Sequence, residues 1–201
     1  MGMDLYGLNP HNPKKLVRPT IDWSKEHSEE DKDIFFKSLD YYEKNVPGHY
    51  FRNNCWWWRP LWDYVFNFTS ILTEEEHTGG HHNDGQRINS KKAEQLSFAL
   101  HKLIDSGHTK EYEEEYMQEH RKAEVHNDIV DEKLKMLNEK VRDEIGSDKN
   151  WLAPADFPQP YRKQWEDLYA TKKMQGSYPF SVENVREFAN FCYQSGGFEI
   201  C

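Results

Sequence analysis

Motifs that fix a reaction or a cofactor are missing from this sequence. Its 201 residues include only three cysteines, Cys55, Cys192 and Cys201, and these form neither a CxxC pair nor the Cys/His spacing of a zinc site. There is also no P-loop, no GxGxxG dinucleotide fingerprint and no GxSxG nucleophile motif. The sequence therefore predicts no catalytic residue and no cofactor, and we expect the protein to act by binding and not by turnover.

Long apolar runs and surplus positive charge are missing as well. No apolar segment approaches the roughly 20 residues that span a bilayer, and the amino terminus has no signal-peptide hydrophobic region. The net charge is −9, whereas binding to duplex nucleic acid requires basic residues that neutralise phosphates. We expect a cytoplasmic protein that binds neither a membrane nor duplex nucleic acid.

Aromatic residues, by contrast, are abundant. They make up 14% of the chain, within a hydrophobic content of only 36%. The core must therefore consist largely of Trp, Tyr and Phe, which bury the most area per residue. The length fits one domain.

Helical periodicity dominates the chain after its first residues. Residues 1–27 contain three prolines and no helical period, which predicts an extended arm. Residues 28–201 predict a single mainly α domain, with helix starts at Ser28, Ser90, Pro160 and Ser181. After Gly146 a Pro-rich connector follows, and residues 198–201 alternate apolar and polar, which predicts a short strand beside residues 49–52.

The longest periodic segment covers residues 109–145. A continuous helix of this length would be roughly 50 Å long, longer than a compact domain of this size is wide. The period weakens between Glu119 and Asn127, so we expect either a break or bend there or pairing with a second copy of the chain. The acidic face of residues 111–124 is a candidate surface for a protein partner, although an ordinary solvated helix explains the same charges.

A Trp-rich segment, residues 48–71, is the most unusual part of the sequence. Trp58, Leu61, Trp62, Val65 and Phe66 recur at helical spacing, so they predict one buried helix face. Because Pro60 lacks an N–H, the helix is expected to begin near residue 59 or 60. The preceding residues are then extended.

Two tryptophans of this segment lie outside the periodic set. Trp56 and Trp57 either fill the core or form an apolar wall beside Arg52 and Arg59, an arrangement suited to stacking a base and holding a phosphate. Residues 73–89, rich in Gly and His, predict a loop that approaches the same anion. The candidate ligand-binding residues are Arg52, Trp56, Trp57, Arg59, His81, His82 and Arg87.

A metal site in the same loop is the competing interpretation. His77, His81, His82 and Asp84 lie close together in sequence. The spacing of His77 and His81 brings both to one metal only on a helix, and the glycines at 79 and 80 argue against a helix. We therefore predict no metal ligand and expect either a solvated loop or part of the anion site.

Three segments resemble a family of bacteriophage and prophage proteins. They are MGMDLYGLNP at the start, YFRNNCWWWRPLW in the middle and YPFSVENVREFANFCYQSGGFEIC at the end. Relatives in that family carry a cysteine-rich, zinc-ribbon-like segment before the last motif, whereas residues 110–176 of this chain contain no cysteine, so that role does not transfer. The resemblance implies a viral accessory protein in the host bacterial cytoplasm.

Three functions follow as hypotheses. The first is a binder of a small anionic, nucleotide-like ligand, which would counter host defence by sequestering a nucleotide signal. The second is a protein-interaction inhibitor or structural accessory that uses the long acidic helix to bind a host protein, or to form a homo-oligomer through residues 109–145. The third is a metal-dependent hydrolase built on the histidine loop.

Overall fold

The computed structural model describes residues 2–145 and 152–201. These residues form four β-strands and seven α-helices, together with two short 3-10 helices, Pro154–Asp156 and Met174–Ser177. The strands are β1 (Gly2–Gly7), β2 (Tyr50–Asn54), β3 (Gln86–Asn89) and β4 (Gly197–Ile200). The helices are α1 (Glu29–Asn45), α2 (Cys55–Thr69), α3 (Glu74–Gly79), α4 (Ser90–Asp105), α5 (His108–Ile145), α6 (Tyr161–Tyr169) and α7 (Val182–Ser195).

The predicted fold class is confirmed: the chain is mainly helical, with one long helix and a small β element. Its contacts group it into two compact units. The first extends to Glu113 and includes Phe180–Cys201, and the second lies between Glu114 and Pro179. Among the described residues, no helix combines the length and the apolar character needed to cross a membrane.

The sheet of the first unit is antiparallel throughout, with strand order β2-β1-β4-β3. Alternate residues, such as Leu5, Ile88 and Phe198, are fully buried, because successive side chains of a strand point to opposite faces. Polar residues, including Asp4 and Arg52, alternate with them.

Two expectations about the strands need correction. Residues 2–7, within the predicted arm, form the inner strand β1. The predicted terminal strand does form, as β4, but it pairs with β1 and β3 and not with residues 49–52. The reason is that β1 lies between the two segments that were expected to pair.

The Trp-rich helix α2 begins earlier than predicted, at Cys55. Its N-cap is Asn54, whose side chain accepts hydrogen bonds from the backbone N–H groups of Trp56 and Trp57. Pro60 therefore lies inside the helix and not in its first turn. The missing N–H costs one backbone hydrogen bond, which the cap and the complete burial of the apolar face offset. That face comprises Trp58, Leu61, Trp62 and Val65.

Residues 73–89 are not the single loop that the sequence predicts. Thr73 and Glu76 form a reciprocal capping box that starts α3, and Gln86–Asn89 form strand β3. Lys92 donates to both carboxylate oxygens of Glu76 at 2.6 Å, so the start of α3 is tied to α4.

The second unit contains most of α5 and the residues that follow it as far as Pro179. Of the two alternatives for the long helix, the break does not occur: α5 runs without interruption over 38 residues, about 57 Å. Leu137 and Val141 pack with Phe157 in a small core, and Lys172 forms an ion pair with Asp131 at 2.7 Å. Residues 146–151, which include the first two residues of the predicted Pro-rich connector, lie outside the described part of the chain.

Candidate metal centre

Three side chains, one from α2 and two from residues 74–81, which we call the α3 segment, direct their donor atoms toward one another. Nε2 of His77 lies 2.8 Å from Oδ1 of Asp63, and Nε2 of His81 lies 3.2 Å from the same oxygen. The two Nε2 atoms are 3.2 Å apart. Asp63, His77 and His81 thus offer one oxygen and two nitrogen ligand atoms in a single cluster, which we call the Asp/His cluster.

The spacing of these atoms suits a metal ion. With metal–ligand distances of about 2.1 Å, neighbouring ligand atoms are about 3.0 Å apart at right-angle positions and about 3.4 Å apart in a tetrahedron. The observed separations of 2.8, 3.2 and 3.2 Å lie close to this range. A cation could therefore contact all three atoms after a shift of a few tenths of an ångström.

The helical turn at α3 brings the two histidines together. His77 belongs to α3, and the chain continues as a turn in which the N–H of His81 donates to the carbonyl of Thr78 at 3.2 Å. Residues four apart on a helical turn lie on one face. Helix α3 ends at Gly79, but Gly80 keeps right-handed helical backbone angles, so the prediction that the two glycines keep His77 and His81 apart is wrong. The capping box and tertiary contacts outweigh glycine's low helix propensity.

Two buried tryptophans hold this segment in place. Nε1 of Trp62 donates to the carbonyl of His77 at 2.9 Å, and Nε1 of Trp58 donates to the carbonyl of Gly80 at 2.7 Å. The ring of His77 also stacks on Phe66, with centroids 4.2 Å apart. The apolar face of α2 thus orients the histidine backbone as well as filling the core.

Electrostatics at the cluster favour a carboxylate ligand. Burial raises the pKa of Asp63, but hydrogen bonds from His81 and His77 lower it by more, so that its pKa lies below the ordinary value. The Asp63 side chain is 48% exposed, and those of His77 and His81 are 23% and 24% exposed. The cluster is therefore reachable from solvent, and its aspartate is ionised at neutral pH.

The predicted ligand-binding residues do not form one site. Arg52 lies on β2 with its guanidinium 3.6 Å from Asp4, whereas Arg87 lies on β3 and pairs with Glu199 at 3.0 Å. These strands are the two edges of the sheet, about 14 Å apart at three strand spacings. Their grouping around a single anion is not supported by this topology.

The remaining candidates lie on α2 and after α3. Trp56 is 44% exposed and Arg59 is exposed, whereas Trp57 is half-buried and its carbonyl accepts from Asn184 at 3.3 Å. His82 is exposed, and His81 is the one predicted residue that belongs to the Asp/His cluster. Burial of Trp56 in the core would have excluded it as a stacking residue. Because Trp56 is exposed, it remains a candidate for that role.

His77 is not among the ligands predicted from the sequence, and neither is Asp63. The T-x-x-E capping box at Thr73 was the signal that a helix starts before His77. Asp63 gives no such signal, since it is one acidic residue on a helix 14 positions upstream. Comparison with models of protein families, with curated proteins and with solved structures finds no significant match to this chain, so the geometry of the Asp/His cluster carries the functional argument.

Proposed function

We propose that the protein binds a divalent first-row transition metal through Asp63, His77 and His81, and that the open positions of the metal bind an anionic ligand. One observation carries the proposal: three donor atoms from two segments converge within hydrogen-bonding distance of one another. Three protein ligands leave room for water or another ligand, as in catalytic zinc sites, whereas structural zinc sites use four.

The donor set indicates the class of metal. Imidazole suits Zn²⁺, Fe²⁺, Cu²⁺ and Ni²⁺, and two histidines with one carboxylate occur in zinc hydrolases and in non-haem iron enzymes. A site for Ca²⁺ or Mg²⁺ would consist of oxygen ligands. Zn²⁺ is therefore the first metal to test, with Co²⁺ as a coloured substitute.

A metal titration tests the proposal directly. Protein freed of metal by chelation is titrated calorimetrically with Zn²⁺ and with Mg²⁺, and the Co²⁺ complex is examined by visible absorption. We expect one equivalent of Zn²⁺ with release of heat or protons, weaker binding in acid because imidazole must be neutral to ligate, and no comparable uptake of Mg²⁺. Absence of a stoichiometric Zn²⁺ site would refute the proposal.

Binding and turnover are then separated by one further assay. A metal-bound water has a lowered pKa and becomes a nucleophile, so the metal-loaded protein is incubated with phosphate monoesters and diesters. Release of phosphate is measured for the monoesters and release of the alcohol for the diesters. Release that stops on chelation would select the metal-dependent hydrolase. Ligand binding without release would select the sequestering protein.

The biological setting of the proposal rests on the resemblance to phage proteins. The three segments that carry it contribute β1, β2 with the start of α2, and α7 with β4, so they belong to the same unit as the Asp/His cluster. We propose on this basis a protein of the infected bacterial cytoplasm that counters host defence by binding a small anionic signal.

A second candidate function has its own observation on α5. Val125, Ile129 and Met136 are 60%, 53% and 67% exposed, and their spacing places them on one helical face. The opposite face carries Ala123 and Leu134, which are buried. Such an apolar stripe on a long helix favours pairing with a second copy of the chain.

If this apolar stripe forms a dimer interface, charged substitutions in it should disrupt the dimer. We expect the wild-type protein to sediment as a dimer at tens of micromolar, and Val125→Glu/Ile129→Glu to sediment as a monomer, because two charges would be buried in the interface. Lys135→Glu is the matched control, since it also changes the charge by −2 at an exposed position of α5. A monomeric wild type, or an equal effect of the control, would exclude this interface.

A further inference from the structure

We propose that the anionic ligand of the metal centre is a nucleoside phosphate, with its phosphate between the metal and Arg59 and its base stacked on Trp56. This inference rests on the proposed metal site and specifies what the site binds. It follows from the arrangement of three side chains along the exposed face of α2.

Trp56, Arg59 and Asp63 lie on one face of α2. Their spacing of i, i+3 and i+7 keeps all three within one stripe of a helix. The helix rises about 6 Å from Arg59 to Asp63 and about 10 Å from Trp56 to Asp63. An aromatic plane, a guanidinium and a metal ligand thus follow one another in a row.

Burial of the opposite face of α2 keeps these three side chains on the protein surface. Trp58, Leu61, Trp62 and Val65 are fully buried, so α2 cannot turn to bury Trp56 without exposing them. Trp56 remains 44% exposed and Arg59 is exposed. The packing of the core thereby holds the row toward solvent, where a ligand can reach it.

Charge complementarity selects a phosphate. The Asp63 carboxylate and a divalent metal together carry one positive charge, and the exposed guanidinium of Arg59 lies about one helical turn away. Phosphate oxygens can bind such a metal, and guanidinium groups recognise phosphate oxygens through two parallel hydrogen bonds. Because the chain as a whole carries a net charge of −9, we expect phosphate to bind well only when the metal is present.

The tryptophan selects a base on that phosphate. Stacking on an aromatic ring is available to every base and contributes substantially to the binding of single-stranded nucleic acids. Inorganic phosphate or a sugar phosphate would leave Trp56 unused. A nucleoside phosphate fits the row because it presents its phosphate and its base at opposite ends of a ribose.

The experiment compares four probes on metal-loaded protein: AMP, ribose 5-phosphate, inorganic phosphate and adenosine. Calorimetric titrations are run with Zn²⁺-loaded and metal-free protein. We expect AMP to bind most tightly, phosphate and ribose 5-phosphate more weakly, and none of the phosphates to bind measurably without metal. Equal affinity for AMP and ribose 5-phosphate would overturn the assignment of the base to Trp56.

Three variants locate the ligand. Trp56→Ala should weaken AMP binding about tenfold and leave phosphate and Zn²⁺ binding unchanged, whereas Arg59→Ala should weaken AMP and phosphate alike. Trp23→Ala is the matched control, because Trp23 is 56% exposed and its ring contacts Phe35 and Phe36 of α1. AMP binding that Trp56→Ala and Arg59→Ala both leave unchanged would place the nucleotide elsewhere and overturn the inference.

The two proposals fail in different ways. If Zn²⁺ binds stoichiometrically and AMP does not bind, the nucleoside phosphate is wrong and the metal site stands. If Zn²⁺ does not bind, the metal site itself is wrong. AMP binding that is indifferent to metal would also contradict the inference, because it assigns the phosphate to the metal.

Discussion

Alanine at His77 or His81 should lower the affinity for Zn²⁺ by more than about 100-fold. Loss of an outer-shell partner typically costs 10- to 100-fold in metal affinity, and these side chains are proposed as direct ligands. Asp63→Asn should have a comparable effect, since the amide keeps the shape of the side chain and removes the negative charge. Calorimetry in competition with a chelator measures the dissociation constants.

The matched control is His82→Ala. His82 follows His81 directly and is exposed, and it lies outside the Asp/His cluster. We expect its Zn²⁺ affinity to equal that of the wild type. If His82→Ala were as damaging as His81→Ala, Zn²⁺ would be binding to surface histidines in general and the three-ligand centre would be wrong.

Thermal denaturation gives an independent readout of the same centre. A ligand at about 100 times its dissociation constant stabilises the folded state by about 2.7 kcal/mol. Zn²⁺ should therefore raise the melting temperature of the wild type and of His82→Ala, and have little effect on His77→Ala. The comparison of each variant with and without Zn²⁺ removes the intrinsic cost of losing the stack of His77 on Phe66.

Gly80→Ala should be the most damaging single-methyl substitution near the site. A Cβ at residue 80 would lie 2.2 Å from Nε1 and 2.3 Å from Cε2 of Trp62, which is fully buried and cannot move aside. The backbone angle φ of Gly80 is −70°, so the effect comes from the close approach alone. Overpacking of this kind costs about 3 kcal/mol of unfolding free energy.

The neighbouring glycine supplies the matched control. A Cβ at Gly79 would meet Oε1 of Gln86 at 2.1 Å and its Cδ at 3.0 Å, and this long side chain can swing away. Gly79→Ala also gains up to about 1 kcal/mol of helix propensity, so we expect a net change within about 1 kcal/mol. Urea denaturation monitored by tryptophan fluorescence compares the two variants.

Gly80→Ala should also weaken Zn²⁺ binding, whereas Gly79→Ala should preserve it. The reason is that Trp58 and Trp62 donate to the carbonyls of Gly80 and His77, so a displaced Trp62 shifts the histidine ligands. Equal stability and equal Zn²⁺ affinity of the two variants would show that the tryptophans do not position the centre.

The hydrogen bonds of Trp58 and Trp62 give the Trp-rich segment a second structural role. Its periodic residues predict a buried helix face, and that prediction is confirmed for Trp58, Leu61, Trp62 and Val65. The same indole rings that fill the core also carry N–H groups, and buried indoles require acceptors. Those acceptors are backbone carbonyls of the α3 segment, so the core and the proposed site share the same side chains.

Local signals in the sequence predicted most of the helices. Ser28 and Ser181 are N-caps, as their positions before periodic segments indicate. Of the two alternatives for the long helix, the break does not occur, although polar residues weaken the period there. His120 and Ala123, within that stretch, are buried, so packing compensates for the weak pattern.

Hydrophobic spacing and capping residues, both local properties, determine by themselves that this chain is mainly helical, that α2 buries one face and that α5 is long. The Asp/His cluster and the separation of Arg52 from Arg87 were decided only by the tertiary structure. Both depend on contacts between segments far apart in sequence: Trp58 and Trp62 hold His77 and His81 beside Asp63, and β1 and β4 lie between the strands that carry the two arginines. Periodicity describes which face of an element is buried, but it does not describe which other element lies against it.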